Sequence, residues 1–140
     1  MEEEIRQQAD FAANLTCEDI PQEVLQRARC VLLDSIGCIY KGMENDQAKA
    51  GDKDHSILDL TLAMVSTELY EGNRKAIGHP ACHILPLMLA QNEKEQTLGT
   101  FLKNFVAAYE IASRWGASIR FTHDILGHGT VMTTGATVAE

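Results

Sequence analysis

The segment "GNRKAIGHPACH", residues 72 to 83, brings two cations, two histidines and a cysteine together within twelve positions. These are Arg74, Lys75, His79, Cys82 and His83. The apolar segment "ILPLMLA" follows directly, so a helix is expected to begin at this point. Metal ligation, anion binding and plain helix capping are the three roles open to such a segment.

Metal ligation rests on the two histidines. His79 and His83 stand four residues apart with Cys82 between them, so three helical residues could share one face as zinc ligands. The glutamate of the H-E-x-x-H pattern does not follow His79, and the spacing signals no third protein ligand of that kind. The pattern favours a small core residue for Cys82 and a polar rim residue for His83.

Anion binding rests on the expected N-terminus of the helix. A helix that begins at Pro80 directs unpaired N–H groups and the positive end of its dipole towards residue 79, the expected N-cap. Arg74 and Lys75 lie just upstream; arginine offers a planar fork for carboxylates, and His79 can exchange a proton near neutral pH. These parts could bind a carboxylate and move a proton beside it. The alternative is that Arg74 and Lys75 are solvated loop residues.

Three further residues are ambiguous when taken alone. His128 lies between two glycines in "GHGT", which would allow a ligand to approach the backbone closely, but a histidine in a surface turn explains it equally. Glu68 and Glu71 in "TELYEGNR" directly precede the basic segment. Acidic residues at the end of a helix are usually solvated.

Composition limits the partners. The chain has 140 residues, the size of one domain, and a net charge of −8 from 12 basic and 20 acidic residues. This charge disfavours nucleic acid and anionic membranes, whereas a small anion can bind where cations are concentrated. No apolar run is long enough to cross a bilayer, the N-terminus is acidic, and the four cysteines lack C-x-x-C spacing. We therefore expect a cytoplasmic protein.

Helical periodicity predicts an all-α fold that positions these residues. Gly42 is predicted to be a C-cap, Pro86 to kink its helix, and "GHGT" to form a turn that leads into a helix of small residues. No segment alternates as a strand would. The predicted helices lie near residues 4–15, 21–41, 57–69, 80–92 and 97–120.

Four segments together resemble a known family. "RARCVLLDSIGCIYKGMEND", "ELYEGNRKAIGHPACHILPLMLA", "FVAAYEIASRWG" and "HGTVMTTGATVAE" occur in that order. They look like the N-terminal helical domain of the MmgE/PrpD family, which includes 2-methylcitrate dehydratase and cis-aconitate decarboxylase. The resemblance implies that residues 1–140 are a bundle-like part of the large helical domain, without the α+β lid domain. It also implies a metal-independent enzyme with no cofactor, and a homodimer.

The resemblance implies roles for individual residues. His79, His128 and Glu68 match catalytic positions, and Asn73 and Arg74 match substrate-binding positions. The sequence departs from the family pattern at three places: Tyr70 stands at a usual aspartate, Leu126 at a usual histidine, and the loop around "AGDKDHS" is shorter. The implied chemistry is proton transfer at a carbon next to a carboxylate, in a dehydration or a decarboxylation.

Two functions therefore follow as expectations. The first is a lyase domain, a hydro-lyase or carboxy-lyase, that acts on a di- or tricarboxylate. The second is a truncated or degenerate family member without catalysis, which retains a packing or dimerisation role; as a 140-residue fragment we expect no turnover. In either case, apolar surface that the lid would cover should promote association into homo-oligomers.

Overall fold

The computed structural model describes residues 2–45, 56–76, 78–91, 96–119 and 127–139. Across these ranges the chain forms six α-helices and no β-strand, which confirms the predicted all-α fold. A single β-bridge joins Asn73 to Gly78. The helices are α1 Glu2–Asn14, α2 Gln22–Gly42, α3 Ile57–Ser66, α4 Pro80–Ala90, α5 Leu98–Ser118 and α6 Gly127–Ala139.

Short polar residues begin two of the helices. Ser56 caps α3 by accepting a hydrogen bond from the backbone N–H of Asp59, whose carboxylate accepts one from the backbone N–H of Ser56 in return. Thr97 caps α5 by accepting a hydrogen bond from the backbone N–H of Thr100. Such caps satisfy N–H groups that a helix leaves unpaired, and they fix where each helix starts.

Helix α4 is the centre of the core. It packs against α2, α3, α5 and α6, and most of its residues are buried. Cys82 is among them, as predicted, with 4% of its surface exposed. Pro86 removes one backbone N–H, yet α4 continues through it to Ala90. Because α4 is apolar on nearly every side, its position is determined by burial.

Helix α2 ends at Gly42, as the sequence predicted, but the predicted C-cap role of Gly42 is wrong. It is the last residue of α2, its φ is not positive, and the C-cap is Met43 in the right-handed helical region. A Cβ at position 42 would lie 1.7 Å from the carbonyl oxygen of Ala63 in α3. Glycine is therefore required here because the backbones of α2 and α3 approach each other closely.

The last predicted segment is also corrected. "GHGT" does not form a turn, since α6 already begins at Gly127. Close packing of the small residues that follow is confirmed: a Cβ at Gly135 would lie 2.6 Å from the carbonyl oxygen of Ala108 in α5. The end of α3 differs as well, at Ser66 instead of residue 69.

The α5–α6 contact can be tested within one helix. We expect Gly135→Ala to lower the free energy of unfolding by about 1–3 kcal/mol, because the new methyl group would push α6 away from α5. Gly129→Ala is the control, since nothing lies within 4 Å of a Cβ at that position. It should be neutral or stabilising by up to about 1 kcal/mol. Urea denaturation measures both; equal effects of the two changes would contradict the proposed close approach.

Candidate functional site

The turn between α3 and α4 is fixed by Asn73. Its backbone exchanges hydrogen bonds with Gly78, at 2.8 and 3.3 Å. The Asn73 Oδ1 accepts from the backbone N–H groups of Lys75 and Ala76 at 3.0 and 3.1 Å, and its Nδ2 donates to the Ser113 hydroxyl of α5 at 3.1 Å. Both ends of this amide are thus engaged within the protein, and the turn is attached to α5.

This turn presents cations to a groove of about 630 Å³ between α2 and α5. Arg74 and Lys75 come from the turn and Arg27 from α2. None of the three forms an ion pair with another residue in the described ranges. Two carboxylates, Glu23 and Glu110, also line the groove, so its ionic lining sums to +1 in a chain of net charge −8. The remaining lining residues are Val24, Ala28, Val31, Gly72, Asn73, Phe105, Val106 and Tyr109.

His79 is the N-cap of α4, as predicted, but its side chain does not cap the helix. Its Nδ1–H donates to the carbonyl oxygen of Glu71 at 2.5 Å, which fixes the proton on that nitrogen. The ring lies beside Tyr70, with the two centroids 4.6 Å apart. The ring is adjacent to Gly72, since a Cβ there would lie 3.5 Å from the imidazole. Gly72 lines the groove, whereas His79 does not.

The anion at the N-terminus of α4 belongs to the protein itself. The Glu71 Oε1 accepts a hydrogen bond from the backbone N–H of Ala81 at 2.6 Å. This is the place where sequence reasoning put a ligand carboxylate. Burial raises the pKa of Glu71 above its ordinary value, and the N–H of Ala81 opposes that shift only in part. The second oxygen, Oε2, is buried and receives no hydrogen bond of normal geometry from the described residues.

Tyr109 joins this buried carboxylate to the groove. It lines the groove, and its hydroxyl lies close enough to Glu71 and Asn73 to interact with both. Burial and the charge of Glu71 raise the pKa of Tyr109 to about 12. At neutral pH it therefore remains a neutral hydroxyl, whose single proton is directed to the carboxyl group of Glu71.

The structure separates the residues that the resemblance grouped together. Asn73 and Arg74 line the groove, whereas His79 does not. Glu68 is exposed, does not line the groove and has a left-handed backbone with a φ of 55°. His128 lies in the first turn of α6, and its side chain is outside the described part of the structure.

Sequence reasoning missed Arg27 and Tyr109 and left Glu71 ambiguous. Tyr109 falls in the apolar stripe of α5, where its ring indicated a core position. Its phenol oxygen was the available signal, because a buried hydroxyl normally has a polar neighbour. Nothing in the local sequence places Arg27 near Arg74, since 47 positions separate them.

Cys82 is a core residue in its chemistry as well as its position. Its thiol donates to the carbonyl oxygen of His79 at 3.1 Å, and burial raises its pKa to about 12. A zinc ligand must be a thiolate, which this environment disfavours. In the part of the chain that the structure describes, no three His, Cys, Asp or Glu residues are placed to hold a metal ion.

Comparisons of the chain with protein-family models, with curated proteins and with solved structures found no match. Among the described residues, no helix has both the length and the apolar character that crossing a bilayer requires. The groove is therefore interpreted from its own geometry and charges.

Glu71 should make stability depend on pH. Its folded pKa lies above the unfolded value of 4.5, so the folded state binds more protons between the two pKa values. The free energy of unfolding should therefore fall as pH rises from about 4.5 through the folded pKa. Glu71→Gln keeps an acceptor for Ala81 and should remove this part of the pH dependence.

Urea denaturation between about pH 4 and pH 8 measures the effect. Glu71→Ala is the comparison for the cap, because it removes the acceptor and should cost about 0.5–2 kcal/mol over the whole range. Identical pH slopes for the wild type and Glu71→Gln would show that the carboxylate is not buried as described.

Cys82 should react slowly with iodoacetamide. With a pKa of about 12, roughly one thiol in ten thousand is ionised at pH 8, and the residue is buried. Cys30 is exposed and should be alkylated first. Mass mapping over time measures the order, and all four cysteines should react in urea. Stoichiometric zinc binding that Cys82→Ala abolishes would instead establish the metal site.

Proposed function

We propose that this chain is a carboxylate-binding domain of the MmgE/PrpD lyase type, which holds a di- or tricarboxylate in the groove between α2 and α5. One observation carries the proposal. Arg27, Arg74 and Lys75 converge on a groove whose other residues are mostly apolar, in a chain of net charge −8. An acidic protein that concentrates cations in a concave site lowers the local barrier to an anion.

The chemistry of the three cations fits carboxylates. An arginine fork can hold both oxygens of one carboxylate, and a lysine acts as a point charge for another. A volume of about 630 Å³ lies within the range of small-molecule sites, roughly 300–1,000 Å³.

The position of Arg74 is held by the fold. Asn73 uses both ends of its amide to fix the turn, so its contribution is to position Arg74 and Lys75 for the ligand. Side chains presented by a fixed turn lose less conformational entropy when they bind a ligand. This supports assigning the binding role to Arg74 and a positioning role to Asn73.

Lyase chemistry needs a group that transfers a proton beside the bound carboxylate. The resemblance assigns that role to His79, His128 and Glu68, and the proposed activity is dehydration or decarboxylation of the bound acid in the cytoplasm. His79 does not line the groove, and Glu68 lies outside it as well. These two observations favour the second candidate, a family member that binds or packs without catalysis, and we expect binding without turnover.

Titration calorimetry with citrate and cis-aconitate tests the binding site. We expect Arg74→Ala and Arg27→Ala each to weaken binding about ten- to a hundredfold, because each removes a charged hydrogen-bond donor. Arg29→Ala is the matched control: it removes the same charge from α2 at a residue that does not line the groove. Binding that survives both groove substitutions, or falls equally with Arg29→Ala, would refute a specific site.

A parallel assay separates the two candidate functions. The same citrate and cis-aconitate mixtures are followed for loss of substrate and for release of carbon dioxide. We expect no turnover above the buffer control. Turnover that Arg74→Ala abolishes would instead establish the lyase.

A further inference from the structure

The groove between α2 and α5 receives two of its cations at one end. The turn that carries Arg74 and Lys75 is attached to α5 by the hydrogen bond from Asn73 to Ser113. Every described residue of α5 that lines the groove precedes Ser113 along the helix. Arg74 and Lys75 therefore enter the groove at the end that lies towards the C-terminus of α5.

The opposite end of the groove is lined by valines. Cys17, which precedes α2, donates its thiol to the carbonyl oxygen of Gly99 in the first turn of α5 at 3.6 Å, so the N-terminal ends of the two helices lie side by side. Val24 near the start of α2 and Val106 on α5 therefore line the groove away from the turn. Seven positions separate Val106 from Ser113, which is about 10 Å along a helix.

The floor between the two ends is apolar. Ala28 and Val31 of α2 and Phe105 of α5 line it, with 7%, 8% and 2% of their surfaces exposed. None of these side chains offers a hydrogen bond to a ligand. A ligand gains affinity by covering such a floor with hydrocarbon, whereas a carboxylate placed there would lose its water without a compensating partner.

The charges of the groove match two negative charges on a ligand. Its three cations contribute +3, and Glu110 is balanced by Arg114 outside the groove, whose Nε donates to it at 2.7 Å. Glu23 contributes −1 beside Val24, at the end away from the turn. The sum of +3 and −1 is +2, which a dicarboxylate neutralises. A third carboxylate that reached the valine end would be repelled by Glu23.

We propose that the ligand of this groove is a dicarboxylate that bears an alkyl substituent, such as a 2-alkylsuccinate. Its carboxylates bind at the end that Arg74 and Lys75 line, and its alkyl chain lies over the apolar floor towards Val24 and Val106. The inference rests on the proposed carboxylate site and specifies its ligand. Citrate has no hydrocarbon to cover the floor and carries a third carboxylate, so it binds less tightly than the alkylated dicarboxylate.

Titration calorimetry with succinate and 2-butylsuccinate tests the alkyl substituent, at about pH 8 where both carboxyl groups are ionised. We expect the butyl compound to bind about ten- to a hundredfold more tightly, from about two- to fourfold for each methylene that it buries. Pentanol, which has an alkyl chain without a carboxylate, should not bind measurably. Citrate should bind less tightly than 2-butylsuccinate.

Substitutions in the groove locate the alkyl chain. Val24→Thr and Val106→Thr nearly preserve side-chain shape but add a hydroxyl, so each should weaken 2-butylsuccinate about three- to tenfold and change succinate by less than about twofold. Ile36→Thr is the matched control: it lies on α2, is 41% exposed against 37% for Val24, and does not line the groove. It should change neither affinity. Circular dichroism confirms that each variant is folded.

The outcomes separate this inference from the carboxylate site on which it rests. Equal affinities for succinate and 2-butylsuccinate, both weakened by Arg74→Ala, would overturn the alkyl substituent and leave the carboxylate site in place. Tighter binding of citrate than of 2-butylsuccinate would also overturn it. A butyl advantage that neither valine substitution reduces, or that Ile36→Thr reduces equally, would place the chain elsewhere and overturn it. Absence of binding, or binding that Arg74→Ala does not weaken, would refute both proposals.

Discussion

The hydrogen bond from the backbone of Ala81 to the carboxylate of Glu71 is the contact from which the geometry of the site follows. Helix α4 is the most buried helix, and Ala81 has no exposed surface, so water cannot satisfy its N–H. An unpaired buried N–H costs about 1–3 kcal/mol, and Glu71 removes that cost. By doing so it fixes the loop that precedes α4, and its backbone carbonyl accepts a hydrogen bond from the Nδ1–H of His79. The residue that caps α4 therefore also orients the imidazole ring of His79.

The same contact explains why the cations serve the groove and not the helix terminus. With Glu71 at the N-terminus of α4, the backbone N–H of Ala81 is already engaged and is not available to a second carboxylate. Arg74 and Lys75 lie on the turn that Asn73 ties to α5, and they line the groove together with Arg27. The cations that stand together in the sequence therefore also line one site in the fold. That site is the groove beside the N-terminus of α4 and not the helix N-terminus itself.

Local sequence rules predicted the helices because their apolar periodicity is set by burial, which is clearest in α5. They failed at positions whose role is determined by a contact with a residue distant in the sequence. Gly42 was expected to be a C-cap, but the carbonyl of Ala63, on another helix, is what requires it to be glycine. Glu68 and Glu71 are indistinguishable in sequence, yet one is exposed and the other caps α4. The sequence alone identified the basic segment. The presence of Arg27 and Tyr109 in the groove follows instead from how α2 and α5 pack.

Helix α2 contributes Arg27 to the groove that Arg74 and Lys75 line from the turn before α4. Exposed ion pairs contribute only about 0–1 kcal/mol each, because water and salt screen them. The proposed affinity for a carboxylate therefore depends on several cations that act on one anion in a concave groove, and added salt should weaken it.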